Sequence, residues 1–250
     1  MPESPDNDGI PRPAAGLFVT THWSVVLAAG GTKSPEAIEA LEKLCRTYWY
    51  PLYAYVRRKG HNVDDAQDLT QEFFARLLAR NYLSVADRNK GKFRSFLLGS
   101  LEHFLAHEWT KAHAQKRGGG QSIFSLDEQG AENRYLLEPA HALTAEKIFA
   151  RRWATTLLDQ AMAQLRDECM SNNKGELFSK VECLLSGERS ETSYAQLAAE
   201  LNMGEGAIKM AVHRLRRRYG ELIRAEIAQT VTTPEEADEE LEFLFSVLCD

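Results

Sequence analysis

With 250 residues, a formal net charge of −6, 44% hydrophobic and 26% charged positions, the chain can bury the core of one large domain or two small ones. No apolar run approaches the ~20 residues needed to cross a bilayer, and "MPESPDNDGIPRPAAG" lacks the basic-then-apolar order of a secretory signal. Glycine-rich phosphate loops are absent, and four scattered cysteines (Cys45, Cys169, Cys183, Cys249) without a CxxC pair point to reduced thiols in a cytoplasm.

Almost every periodic segment has helical spacing. Residues 1–19, rich in Pro and Gly, read as a mobile arm. Ser34 and Pro35 make an N-cap and first-turn pair opening a helix with Ile38, Leu41, Leu44 and Cys45. Pro51 predicts a kink or restart before "LYAYVRRKG", and Gly60 ends the segment. A second helix opens near Asn62 or Asp64, its early acids favoured by the helix dipole, with Leu69, Phe73, Leu77 and Leu78 as its apolar face. A loop leads to a third helix carrying Phe96, Leu97, Leu101, Phe104, Leu105 and Trp109, which runs out at "KRGGG".

Residues 118–145 are irregular and polar, and read as a linker. Helices resume with "AEKIFARRWATTLLDQAMAQL" and "GELFSKVECLL". Ser193 and Gln196 then form a capping box opening "YAQLAAEL", with Asn202 at the turn that follows. There is no internal repeat and no credible strand. The expected fold is all-α: two small helical domains, 20–117 and 146–230, joined by a linker, with an acidic amphipathic helix at 231–250.

Charge is segregated within this plan. Glu235, Glu236, Asp238, Glu239, Glu240, Glu242 and Asp250 fall in the last stretch, which holds no Lys or Arg. The basic residues cluster elsewhere, so an acidic total does not exclude nucleic acid. In "EGAIKMAVHRLRRRYG", Ile208, Val212, Leu215 and Tyr219 form one helical stripe, while Lys209, Met210, His213, Arg214 and Arg217 turn away from it. With the short helix and turn before it, this stretch has the layout of a helix-turn-helix, its second helix suited to a major groove. Arg214, Arg216, Arg217 and Arg218 are assigned to phosphates. Glu205, Gly206, Lys209 and His213 lie near the helix start, where bases are read. The plainer reading is a solvated basic face on a structural hairpin.

Between Arg88 and Arg117, basic residues interleave with Phe93, Phe96, Phe104 and Trp109, a mixture that suits single-stranded nucleic acid. Helical core spacing accounts for most of these aromatics equally well. "HEWTKAH" lacks the HExxH spacing of a zinc protease, and nothing nearby completes a site for His103 and His107. No catalytic residue, metal or cofactor is expected. In the tail, Thr233, Pro234 and Glu236 start a helix whose apolar stripe is Ala237, Leu241, Leu244, Phe245 and Leu248.

In this order, "DDAQDLTQEFFARLL" and "EGAIKMAVHRLRRRY", supported by "THWSVVLAA" and "LTAEKIFARRWATTLLDQAM", resemble the extracytoplasmic-function sigma factors of bacterial RNA polymerase, in a planctomycete-like branch. The resemblance covers about Thr20 to Thr230 and runs on into the tail. It implies a non-enzymatic subunit that binds core RNA polymerase and promoter DNA, with an anti-sigma protein as a candidate partner and no membrane association. Asp68, Gln71, Glu72 and Phe73 would grip the polymerase clamp. The loop from Asn81 to Phe96 would hold a flipped −10 base, and Lys90, Lys92, Arg94, His103, Lys111, Lys116 and Arg117 would contact the −10 strand. Glu205, Gly206, Lys209, His213, Arg214 and Arg217 would read the −35 duplex.

The chain departs from the family pattern at His103, where Asn is usual, at a thinned basic run, and at Gly204, where Ser often caps the recognition helix. Promoter elements some 25 base pairs apart lie roughly 85 Å apart, beyond the ~30 Å of a relaxed linker of this length, so polymerase is expected to hold the linker stretched. The acidic tail would finish the core, dock on polymerase, or restrain the basic C-terminal domain until polymerase binds. A stand-alone helix-turn-helix regulator is the alternative function.

Overall fold

Local capping signals and apolar periodicity act together in setting the helices. In the structure, a computed structural model that describes residues 22–23, 35–79, 92–112, 135, 143–185 and 193–249, eight α-helices and no strands are found among the described residues. They are α1 (Pro35–Arg58), α2 (Val63–Ala79), α3 (Phe93–Ala112), α4 (Ala145–Ser171), α5 (Gly175–Leu185), α6 (Tyr194–Glu200), α7 (Glu205–Ala228) and α8 (Pro234–Cys249). Asn62 Oδ1 accepts the Asp65 N–H at 2.8 Å at the start of α2, and Thr144 Oγ1 accepts the Lys147 N–H at 3.2 Å at the start of α4. Gly60, at φ +100°, ends α1 in a conformation that costs glycine little.

Pro51 does not restart α1, which is continuous through it. The reason lies in burial: every residue from Tyr48 to Val56 is shielded from solvent. A helix buried all round needs neighbours on all sides. For α1 these are α2 and α4, and their packing outweighs the backbone hydrogen bond that Pro51 cannot donate.

The same constraint changes the domain picture. Sequence reading separates 20–117 from 146–230, yet α1 and α4 pack against each other through one continuous apolar core. The Trp153 indole N–H donates to the Tyr48 hydroxyl at 3.0 Å, and both side chains are fully buried. Phe149 meets the rings of Tyr48 and Tyr55, each at 6.5 Å, and Gln160 pairs with Thr47 at 3.2 Å. Burial pushes the Tyr48 phenol well above its ordinary value, so it stays protonated as acceptor and donor. Further joins run from the Phe93 N–H to the Thr230 carbonyl and from the Trp23 N–H to the Gln229 carbonyl, each 3.0 Å. α2 and α3 alone leave one side of α1 uncovered, and α4 covers it.

The arm, the loop from Asn81 into Gly91 and nearly all of the 118–145 linker lie outside the described residues. No described helix is long and apolar enough to cross a membrane. None of the four cysteines is in a disulfide.

Because Trp153 belongs to both halves, Trp153→Ala should destabilise them together, by about 3–5 kcal/mol as for other large core truncations. Thermal melts followed separately through α1 and α7 should coincide; two separate transitions would show that the halves fold independently.

Candidate nucleic-acid interface

Ser193 and Gln196 close their capping box in both directions, the Gln196 N–H reaching Ser193 Oγ at 3.2 Å and the Ser193 N–H reaching Gln196 Oε1 at 2.8 Å. α6 therefore starts firmly despite having seven residues. Its Leu197 and Ala198 are buried, and small Ala198 lets α7 approach with Ile208, Ala211 and Val212. Between the helices the Met203 N–H returns to the Ala198 carbonyl at 2.9 Å, and Asn202 takes a left-handed φ of +50°. Gly204 caps α7 through its backbone carbonyl only, with no side-chain bond. The helix runs past Gly220 to Ala228, longer than the basic motif itself.

Solvent sees Glu205, Gly206, Lys209, Met210, His213, Arg214 and Arg217 on α7, the face that the apolar stripe leaves outward. Their cations are not equivalent. Lys209 pairs with Glu205 at 2.7 Å and Arg217 with Glu221 at 3.1 Å, both one turn along the same helix. His213 and Arg214 make no hydrogen bond or ion pair among the described residues. Exposed one-turn pairs are weak and exchange readily for a phosphate, so all four can be offered to an anion.

Arg216 and Arg218, also assigned to phosphates, have partners on neighbouring helices. Arg216 donates to the Leu184 carbonyl at 2.9 Å, satisfying the end of α5. Arg218 clasps both oxygens of Glu168 on α4, at 2.9 Å and 2.6 Å. Its hydrogen bonds hold the Glu168 carboxyl below the ordinary value of 4.5. Both arginines stay exposed beside Arg217, and their bonds also tie α7 to α5 and α4.

On α2, Asp68 and Glu72 are exposed and Gln71 is half-buried. Glu72 pairs with Arg76, which also reaches Glu108 of α3 at 2.8 Å and lies over the Phe104 ring. Phe73, expected at a partner's surface, is instead 3% exposed and packs between Phe74 and Phe104. α2 is covered by α1 on one side and α3 on the other, so Phe73 orients the exposed residues beside it rather than touching a partner.

Of the expected −10 contacts, Lys92, Arg94 and His103 have described side chains. His103 is exposed on α3, whereas Lys90, Lys116, Arg117 and the Lys111 side chain lie outside the described residues. Lys92 and Arg94 turn inward, toward carboxylates far along the chain. Arg94 makes two parallel bonds to Glu240 of α8, Nε to Oε2 at 3.0 Å and Nη2 to Oε1 at 2.9 Å. Lys92 Nζ lies 2.9 Å from Glu239 and 3.3 Å from Glu240. Burial opposes the Lys92 charge, but the two carboxylates prevail and raise its pKa. The Arg94 guanidinium carbon sits 4.0 Å from the Phe243 ring centroid and 5.1 Å from that of Trp153.

Glu240 is the residue missed in reading the tail, and it is fully buried. The inward face of α8 is Ala237, Glu240, Leu241, Leu244 and Val247, while Phe245 and Leu248 of the expected stripe are 54% and 41% exposed. Among the described residues no three His, Cys, Asp or Glu side chains are placed to hold a metal ion.

Arg218→Ala should lower stability by under about 1 kcal/mol, since both partners are nearly half exposed and screened. A carboxyl held low stabilises the fold above its unfolded value and loses that contribution as pH falls through its folded value. Wild type should therefore lose part of its Tm advantage over Arg218→Ala as pH drops below 4.5. Arg214→Ala should leave Tm unchanged and reduce the salt slope of duplex binding by about one unit. Titration by fluorescence anisotropy at two salt concentrations separates the two roles.

The chain matches no protein-family model, no curated protein and no solved structure.

Proposed function

We propose that the chain is a promoter-specificity subunit of bacterial RNA polymerase, without catalysis of its own, that recruits core polymerase and directs it to −35 and −10 elements. The observation that carries this reading is the α6–turn–α7 arrangement. A capped short helix and a tight turn hold a long helix whose outward face presents Lys209, His213, Arg214 and Arg217. In a major groove, the first turn of α7 would reach base edges while Arg214 and Arg217 meet phosphates. The order of motifs, with "DDAQDLTQEFFARLL" ahead of the basic helix, supports polymerase docking through Asp68, Gln71 and Glu72. α3 and the stretch before it would engage the −10 strand.

Spanning both promoter elements requires the α1–α4 contact to open. Polymerase would supply the binding energy for that, and two modest DNA contacts would then act together through effective concentration. The shared core favours one other reading, a stand-alone helix-turn-helix regulator that acts as a single closed body on duplex DNA.

Pull-down with core polymerase separates the two. Retention at micromolar concentration, together with new start sites in run-off transcription, is the expected result; no retention would leave the regulator. The double variant Asp68→Ala, Gln71→Ala should lose polymerase binding at least about tenfold while keeping duplex binding through α7, as expected when exposed interface side chains are truncated.

A further inference from the structure

The α8 helix does more than close the core. Its buried face carries a carboxylate, Glu240, between Ala237 and Leu244, and that carboxylate meets two cations from the far half of the chain. Arg94 binds Glu240 through both nitrogens of one edge of its guanidinium, the geometry it would use on a phosphate. Lys92 bridges Glu239 and Glu240. The Arg94 guanidinium carbon lies over the Phe243 ring, 4.0 Å from its centroid. Carboxylate oxygens and a ring on α8 thus occupy the groups that a nucleic acid's phosphate and base would otherwise engage.

The placement is also strategic. Phe93, between the two cations, is tied by its N–H to the Thr230 carbonyl just before α8. Asp238 on the opposite edge of α8 pairs with Arg224 of α7. One helix therefore holds the start of α3, the middle of α4 and the end of α7 together.

We propose that α8 is an internal acidic latch that competes with single-stranded nucleic acid for Lys92 and Arg94, so that DNA engagement and release of α8 are one event. This rests on the promoter-binding reading for the role of those cations. It differs from a tail lying over the basic face of α7, because Lys209, His213, Arg214 and Arg217 make no ion pair with α8. By linkage, the apparent affinity for DNA is the intrinsic affinity multiplied by the fraction of molecules in which α8 is undocked.

The test is made on the full chain with a mixed-sequence single-stranded oligonucleotide. Glu240→Gln should raise its affinity about tenfold at low salt, and Glu239→Gln, which disturbs only the exposed partner of Lys92, about two- to threefold. Glu242→Gln removes the same charge from the outward face of α8 and serves as the control, with a change below about twofold. Amide hydrogen exchange over residues 234–249 should rise when the oligonucleotide binds wild type.

Equal affinity gains in all three variants would reduce the effect to net charge and overturn the latch. DNA binding with α8 still protected would overturn the latch while leaving the promoter reading standing. Absence of DNA binding in every variant would remove both. Should Glu240→Gln lower Tm too far to measure binding, Glu239→Gln and the exchange experiment on wild type decide the matter.

Discussion

Trp153 places its indole N–H on the Tyr48 hydroxyl in a region from which solvent is excluded. Neither polar atom can be left alone there without a cost of about 1–3 kcal/mol, so the two helices that carry them are bound in register as well as in contact. Around that point α1 is enclosed on all sides, which explains both its continuity through Pro51 and the merging of two stretches that the sequence separates by a polar linker. α7 and α8 then build on the far side of α4.

On this frame the cations divide into two populations. Arg94, Arg216 and Arg218 are spent on holding elements together, each with a carboxylate or a helix-end carbonyl as partner. Lys209, Arg214 and Arg217, with His213 beside them, are at the surface with at most a one-turn partner. A basic face keeps a fixed orientation only if its helix cannot roll, so α7 needs anchors on its neighbours. The clasp of Arg218 on Glu168 and the bond from the Tyr219 hydroxyl to the Leu158 carbonyl provide them, directly after Arg217.

Much of this was legible in the sequence because it is local. The Ser193–Gln196 and Thr233–Glu236 capping boxes, the turn at Asn202 and the stripe of Ile208 and Val212 depend on neighbours within a few positions, and they sit where the spacing puts them. Phe73, Arg216, Arg218 and Glu240 could not be placed that way. Each takes its role from an element far along the chain: Glu240 from Arg94, 146 positions away, and Arg218 from Glu168, 50 positions away. Periodicity did hold one clue, since Glu240 falls three positions after Ala237 and four before Leu244, on the stripe that a helix buries. A lone acid in that position asks for a basic partner.

The distance along the chain between Tyr48 and Trp153, 105 positions, also bears on how the fold is reached. α6 and α7 meet across a four-residue turn and can pair almost at once, whereas α1 and α4 must first close a long loop whose entropy is lost before any contact is gained. The helical hairpin with the basic face is then the early product and the enclosure of α1 the late one. Kinetically, the molecule acquires its basic helix before it acquires its centre.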